Sequence, residues 1–432
     1  MNRALAECIV DCLRLDGSPV AYLDRVAEFD ERDWRRTLGW LDNSGLALYF
    51  LQRLRDLRAE NRLPASIQRR LKGNLEQNRL RVAAMAEEFG ALNRRFEDAG
   101  LRYAVLKGFS LIPEYCPDGA LRLQTDYDYL VDLGSSESAQ SVLRLAGYFR
   151  SGVTGPANQP WELRFRAEPL RWPGWHDDFY SFLDPRLIEL HFAPWKLEQY
   201  DVDATTPEGP LERTVERTWH GVRFNALNDD DTLVLEVLHA FEHMLGYWCR
   251  LSCFLEIARF LRDRSSDRSF WTGFRKHAHD HARLAEIITL VFSMAIRLFG
   301  GEIPPGGWMG RPLPPTLSSW VERYGRAWAL ENWPGSKLTL FLYSEFIRDE
   351  ARRRRFLFRR LIPLHRSQVL SDAKTPAPRG SAKANLQKWA FVFGRGRFHC
   401  LELLRYVWRF PSWRRTLRRS SAGTLDRTIV CP

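Results

Sequence analysis

Apolar positions recur at helical spacing through the first ninety residues of this chain. Leu13, Leu38 and the stretches 46–54 and 71–84 sit among charged residues with few β-branched neighbours, which predicts helices. A further helix over 85–99 stops at Gly100, a residue suited to the left-handed turn that closes a helix. The period then changes. Tyr103-Ala-Val-Leu106 reads as a short strand, and the segment Arg122-Leu-Gln-Thr-Asp-Tyr-Asp-Tyr-Leu-Val131 as another. Residues 136–146 predict a returning helix. Ile188-Glu189-Leu190-His191-Phe192 alternates strictly between apolar and polar, the period of a strand. Residues 233–261 return to helical spacing. Helices on both sides of a strand-bearing middle predict an α+β fold rather than a helical bundle.

Residues 150–185 break the pattern with Gly152, Gly155, Pro156, Pro160, Pro169, Pro173 and Gly174, and with Trp161, Trp172, Trp175, Phe179 and Tyr180. They read as strand-and-loop material beside a cleft, or as an insertion that packs its own aromatics. Pro- and Gly-rich stretches at 301–318 and 376–381 mark boundaries. The expected organisation is a helical region at 1–90, a core at 91–226, a helical domain at 227–305, and a basic, aromatic-rich region at 306–432.

Candidate chemistry concentrates in the core. Asp126 and Asp128 are two residues apart in a strand, so both project from one face. Side-by-side carboxylates raise the cost of ionising each other unless a cation sits between them. Hard oxygen ligands suit Mg²⁺ or Mn²⁺. In the alternating strand, Ile188, Leu190 and Phe192 would pack inward and leave Glu189 and His191 on the other face. If that strand pairs beside the first, Glu189 completes a three-carboxylate metal site of the kind that organises phosphoryl or nucleotidyl transfer. Asp177 and Asp178 are rivals for the third carboxylate, and as neighbours on a strand only one of them could contribute. Upstream, Lys107-Gly108-Phe109-Ser110 follows a strand. There a glycine would let backbone amides approach a phosphate, with Lys107 and Ser110 adding a charge and a hydroxyl.

The order Leu-Lys-Gly, then Arg-x-x-x-Asp-x-Asp-x-Leu-Val, then a Glu-Leu-His strand resembles the uncharacterised nucleotidyltransferase family of the DNA polymerase β-like superfamily. The resemblance implies a small mixed β-sheet nucleotidyltransferase core flanked by helical regions. It places the Gly-Ser turn on Gly108 and Ser110, the metal pair on Asp126 and Asp128, and the third carboxylate on Glu189. In this chain Phe109 separates Gly108 from Ser110. The resemblance extends to 233–261, where His239, His243, Arg250, Leu251 and Glu256 follow the His-rich helix pair of the family, with Glu256 in place of the usual Asp. It spans roughly residues 90–305. It implies transfer of a nucleoside monophosphate from a triphosphate such as ATP to an unknown small-molecule, peptide or protein acceptor, with pyrophosphate released. Lys107 and Arg122 are candidates for holding the triphosphate. The alternative is a catalytically inactive, nucleotide-binding regulatory protein of the same fold.

Composition adds an asymmetry. From Arg348 onward there are 21 Lys and Arg against 5 Asp and Glu, a net of +16, so the first 347 residues carry −5 of the total of +11. Beyond Leu386 the basic residues interleave with Trp389, Phe391, Phe393, Phe398, Tyr406, Trp408, Phe410 and Trp413. An anionic membrane surface fits such a segment. Nucleic acid ranks behind it, and a basic face that merely covers the body is the plain reading. No apolar run reaches the ~18 residues needed to span a bilayer, and Glu7 and Asp11 stand where a signal peptide would be apolar. The expectation is a cytoplasmic chain, peripheral at the membrane through its tail. The seven Cys show no Cys-x-x-Cys spacing and read as reduced thiols, mostly buried. Asn228-Asp229-Asp230-Asp231 reads as a helix cap rather than a metal cluster. His239 and His243 share a helix face without a third ligand nearby in sequence.

Overall fold

A computed structural model describes residues 1–154, 161–167, 180, 186–195, 197, 202–246, 250–302, 308, 312–331, 336–362 and 382–427. Five helices lead: α1 (Arg3–Cys12), α2 (Val20–Ala27), α3 (Glu31–Asn43), α4 (Ala47–Asp56) and the 34-residue α5 (Ala65–Asp98). The middle of the chain holds β1 (Tyr103–Leu106), β2 (Asp126–Val131), α6 (Ser136–Leu145), β3 (Tyr148–Thr154), β4 (Glu162–Ala167), β5 (Leu187–His191), β6 (Thr214–Trp219) and β7 (Val222–Leu227). Helices then return as α7 (Asp229–Leu245), α8 (Leu251–Asp263), α9 (Arg268–His279), α10 (Ala282–Phe299), α11 (Pro315–Trp320), α12 (Arg326–Leu330), α13 (Thr339–Tyr343), α14 (Glu350–Leu361) and α15 (Ala382–Arg427). The fold is mixed, with helices at both ends of one sheet.

The sheet has seven strands in the order β3-β4-β5-β2-β1-β7-β6. β2 runs antiparallel to β1 and parallel to β5, and β1 runs parallel to β7. The sheet is wider than the few strands evident in the sequence. β3 and β4 form a hairpin at 148–167, inside the stretch read as strand-and-loop material. β6 and β7 form a second hairpin, turned at His220 and Gly221, which both have positive φ. Asp177 and Asp178 lie outside the described residues.

Alternation along the strands gives the sheet two unlike faces. Tyr103 and Val105 of β1, Tyr127, Tyr129 and Val131 of β2, Leu163 and Phe165 of β4, and Ile188 and Leu190 of β5 share one apolar cluster with Met85, Phe89, Leu92 and Phe96 of α5. Phe89 is its hub. Its ring lies 4.7 Å from Phe109, 5.1 Å from Phe224 and 6.2 Å from Tyr127. The other face carries Ala104, Leu106 and Leu130, covered by Leu227, Leu211 and Leu235 of α7. The polar members of β2, β4 and β5 project on that side.

α5 is one unbroken helix where the sequence suggested two, and Gly100 follows its end at φ +63. α1–α4, α7–α10 and α11–α13 bury their apolar faces in a single large core, which Tyr406 and Trp413 of α15 also join.

Removing the hub ring by Phe89→Ala should destabilise the fold by about 3–5 kcal/mol, because the aromatic cluster cannot collapse around so large a void. Chemical denaturation would read the change as a lower midpoint. A midpoint within experimental scatter of wild type would show that α5 is not fixed to the sheet through Phe89.

Candidate active site

β2 and β5 are in register so that Asp128 stands beside Glu189. Adjacent strands are about 4.8 Å apart, so the two carboxylates share one patch of surface. Asp126 is two residues before Asp128 on the same face. β4, antiparallel to β5, sets Arg164 beside Glu189 and Glu162 beside His191. Four carboxylates and one imidazole thus face the same way from three neighbouring strands.

The contacts among them are close. His191 Nε2 lies 2.8 Å from Asp128 Oδ1 and 3.6 Å from Glu189 Oε2. Its Nδ1 lies 3.7 Å from Glu162 Oε2. Arg164 Nε donates to Glu162 at 2.6 Å and sits 3.2 Å from Glu189 Oε1. Asp128, His191 and Glu162 are buried. Burial pushes the Glu189 carboxyl up to about 8, with Asp128, Asp126 and Glu162 adding to the shift. Burial, followed by the charge of Asp128, also raises Asp126. Crowded, desolvated carboxylates of this kind gain from a cation. Asp128, Glu189 and His191 each offer one ligand atom, all within 4.8 Å of one another, and could hold a metal ion. The carboxylate oxygens suit Mg²⁺ or Mn²⁺.

The turn after β1 reaches the same patch. Lys107 and Gly108 both have positive φ, at +55° and +51°. The positive φ favours glycine at 108, and a Cβ there would press on the Gln124 side-chain amide, whose Nε2 would lie 2.4 Å away. Lys107 Nζ donates to Asp128 Oδ1 at 3.3 Å. Burial opposes its charge, but Asp128, Glu189 and Asp126 together outweigh burial and keep it an ammonium. Ser110 is buried and its hydroxyl donates to Lys107 O at 2.8 Å, so that side chain braces the turn.

Arg122 points elsewhere. Its Nε donates to Glu256 of α8 at 3.2 Å, and Tyr49 of α4 donates to the same carboxylate at 2.7 Å. Its place is therefore a buried bridge between the sheet and the helices. Glu236 of α7 lies nearby and is fully buried, and neither oxygen has a hydrogen-bond partner among the described residues. His239 and His243 approach each other to 3.2 Å between Nε2 atoms, and Cys253 of α8 brings its Sγ to 3.9 Å from His239 Nδ1. The third ligand missing from the local sequence is thus supplied by the next helix, and this trio is a second group that could hold a metal. Burial, with Lys107 and His243 adding to it, holds His239 well below the usual imidazole range. The Asn228 side chain caps α7 by accepting from Asp231 N, as the cap reading expects. Asp231 and Asp229 pair with Arg213 and Arg217.

Three polar residues escaped the sequence reading: Glu162, Arg164 and Glu236. For the first two a signal exists. Glu162-Leu-Arg-Phe-Arg-Ala alternates as regularly as β5 does, but it is embedded among Pro and Gly. Glu236 gives none, because one acid within a helix normally faces solvent.

Residues 30–300 match the uncharacterised nucleotidyltransferase family. The chain belongs to that family. The match begins well before the roughly residue 90 suggested by the motifs, so it includes α3, α4 and α5 as well as the sheet and α7–α10. No curated protein matches the chain. Family membership makes this a nucleotidyltransferase-type domain, and proteins of that type bind nucleoside triphosphates.

Glu236 yields a pH prediction. Burial pushes its carboxyl up to about 7 from an ordinary 4.5, with Arg122 pulling down and Glu256 pushing up. A carboxyl raised in the fold binds its proton more tightly there than in the unfolded chain. Its favourable contribution is complete below the ordinary value and is lost as pH rises through about 7. Glu236→Gln should therefore be nearly neutral at about pH 4.5 and stabilising at about pH 8, by on the order of 3 kcal/mol at most. Melting temperatures of both proteins at the two pH values would show the gap opening. A gap independent of pH would mean that no unpaired charge is buried there.

Proposed function

We propose that this protein is a metal-dependent nucleotidyltransferase that moves a nucleoside monophosphate from a triphosphate, ATP being the first to test, to an acceptor outside the protein. The observation that carries this reading is the in-register pair Asp128–Glu189 with Asp126 on the same face. Asp126, Asp128 and Glu189 would hold Mg²⁺ or Mn²⁺, with His191 beside them. Such ions neutralise phosphate charge and orient the attacking and leaving oxygens. Lys107 stands where its ammonium can turn from Asp128 to a phosphate oxygen. Gly108 itself is buried against the Gln124 side chain, so a phosphate would meet the amides of that turn only with Gln124 turned aside. An acceptor hydroxyl or phosphate oxygen bonds to the α-phosphorus, the bond to the bridging oxygen breaks, and pyrophosphate leaves. Any proton lost by the acceptor passes to a carboxylate of the cluster. Arg122 is assigned to the structural bridge with Glu256 rather than to the triphosphate.

One observation favours a second reading, nucleotide binding without turnover. Lys107 already lies against Asp128 and Arg164 against Glu189, so cations of the protein itself share the charge of the cluster, and the His191 ring occupies a further position beside Asp128.

Pyrophosphate release separates the two readings. Each common nucleoside triphosphate is supplied with Mg²⁺ or Mn²⁺, and cell extract serves as the source of acceptor. Release by wild type should fall by about a thousandfold in Asp126→Ala/Asp128→Ala, the scale on which loss of charge stabilisation slows such reactions. Mn²⁺ should also raise the melting temperature of wild type and leave the double variant unmoved. Nucleotide binding with no release, and no difference between the two proteins, would favour the regulatory reading.

A further inference from the structure

The last long helix presents two unlike sides, and only one of them is accounted for by the body. On the docked side of α15, the Tyr406 ring lies 4.6 Å from Phe341, and Trp413 lies 5.3 Å from Phe341 and 6.1 Å from Tyr324. Glu402 accepts from Lys337 N at 3.1 Å and Ser336 Oγ at 3.2 Å, and Arg405 pairs with Glu331. At 3.6 residues per turn, Leu386, Trp389, Phe393, Leu401, Leu404 and Trp408 fall in a sector of roughly 120° on the opposite side. These six are between 54 and 82 % exposed. The stripe from Leu386 to Trp408 runs about 33 Å along the helix axis. A monomeric surface rarely leaves so long an apolar band open to water.

Charge says what covers it. Arg397 and Arg415 lie within the stripe sector and are exposed, and the exposed Arg414 lies at its flank. The acid of this stretch, Glu402, is turned to the body. The end of α14 joins the same region, because Lys337 Nζ donates to Arg360 O and Leu361 O at 2.7 Å. That helix adds Arg353 and Arg355 and the exposed Phe358, while Arg352 and Arg354 pair with Asp203 and Glu350. A second copy of the chain would set this +16 segment against its like. A nucleic acid would meet the arginines but leave Leu386, Leu401 and Leu404 uncovered. The headgroup boundary of an anionic bilayer answers both needs, with acyl chains for Leu and Phe, the interface for Trp, and acidic headgroups for Arg. A helix docked along one side can lie on that boundary and not through it, and no described helix is long and apolar enough to cross a membrane.

We propose that the outward face of α15 binds the surface of a membrane containing anionic lipid, holding the nucleotidyltransferase domain at that surface. The proposal is independent of whether the domain turns over nucleotide.

The test is flotation of the full chain with phosphatidylcholine vesicles, with and without about a third of phosphatidylglycerol. Wild type should float with the anionic vesicles at least about tenfold more tightly than with the neutral ones, and high salt should weaken it. Trp389→Ser/Phe393→Ser/Leu404→Ser/Trp408→Ser changes exposed positions only and should lose binding with an unchanged circular dichroism spectrum. Arg397→Glu/Arg415→Glu should lose the preference for anionic vesicles. Wild type that fails to float with anionic vesicles overturns the proposal without recourse to any variant. So does a serine variant that floats like wild type. Two further outcomes would replace it. In one, wild type sediments as a dimer, the serine variant as a monomer, and neither floats. In the other, wild type binds RNA but not vesicles.

Discussion

The candidate site depends on one constraint, the pairing register of β2 with β5. On these strands the side chains toward α5 are aromatic or aliphatic, while the opposite face carries the acids and His191 together with Leu130. A slip of one residue would turn Tyr127, Tyr129, Ile188 and Leu190 to the polar side and drive the carboxylates into the Phe89 cluster. The cost of that exchange, several large apolar groups exposed and several charges buried without partners, is what holds Asp128 beside Glu189. The apolar face therefore does more to place the carboxylates than any contact among the carboxylates themselves, whose mutual repulsion works against the arrangement.

That repulsion is balanced locally. Lys107 comes in from the turn after β1, His191 from two residues beyond Glu189, and Arg164 from the next strand. The three do not cancel the crowding of the acids outright. Glu189 still has its carboxyl pushed up to about 8, first by burial and then by its acidic neighbours. A cluster left short of positive charge, with some of its cations on long flexible stems, can exchange an internal partner for an external one. A site built for stability alone would have matched its charges more fully or replaced them with apolar groups.

The Asp126/Asp128 pair and the alternation at 188–192 were legible because strand period is a two-residue signal that survives in a short window. The pairing of those strands was not, since it rests on contacts between segments some sixty positions apart, and only the family resemblance put Glu189 next to Asp128. β3 and β4 were hidden by the Pro and Gly residues around them, although the alternation of Glu162 to Ala167 is as clean as that of β5. Arg122 was read as a phosphate clamp because an arginine just ahead of a carboxylate strand invites that role. In the fold it pairs with Glu256, 134 residues away on α8. Burial of a charged pair between distant helices leaves no periodic trace.

The Arg122 bridge explains why helices far from the carboxylates belong with them. Asn78 of α5 is buried and donates through Nδ2 to both Ala120 O at 2.7 Å and Arg122 O at 3.0 Å. Arg122 then reaches Glu256, which Tyr49 of α4 also holds. Arg250, just ahead of α8, donates to Leu123 O. The segment leading into β2 is thus clamped from α4, α5 and α8 before the chain reaches Asp126. Removing one partner of such a buried pair would leave a charge unpaired in the interior, which costs far more than the pair itself is worth. The position of the strand that carries Asp126 and Asp128 is in this way tied to the helices on either side of the sheet in sequence. A family match that starts at the cap of α3, rather than at the first strand, is what that dependence would produce.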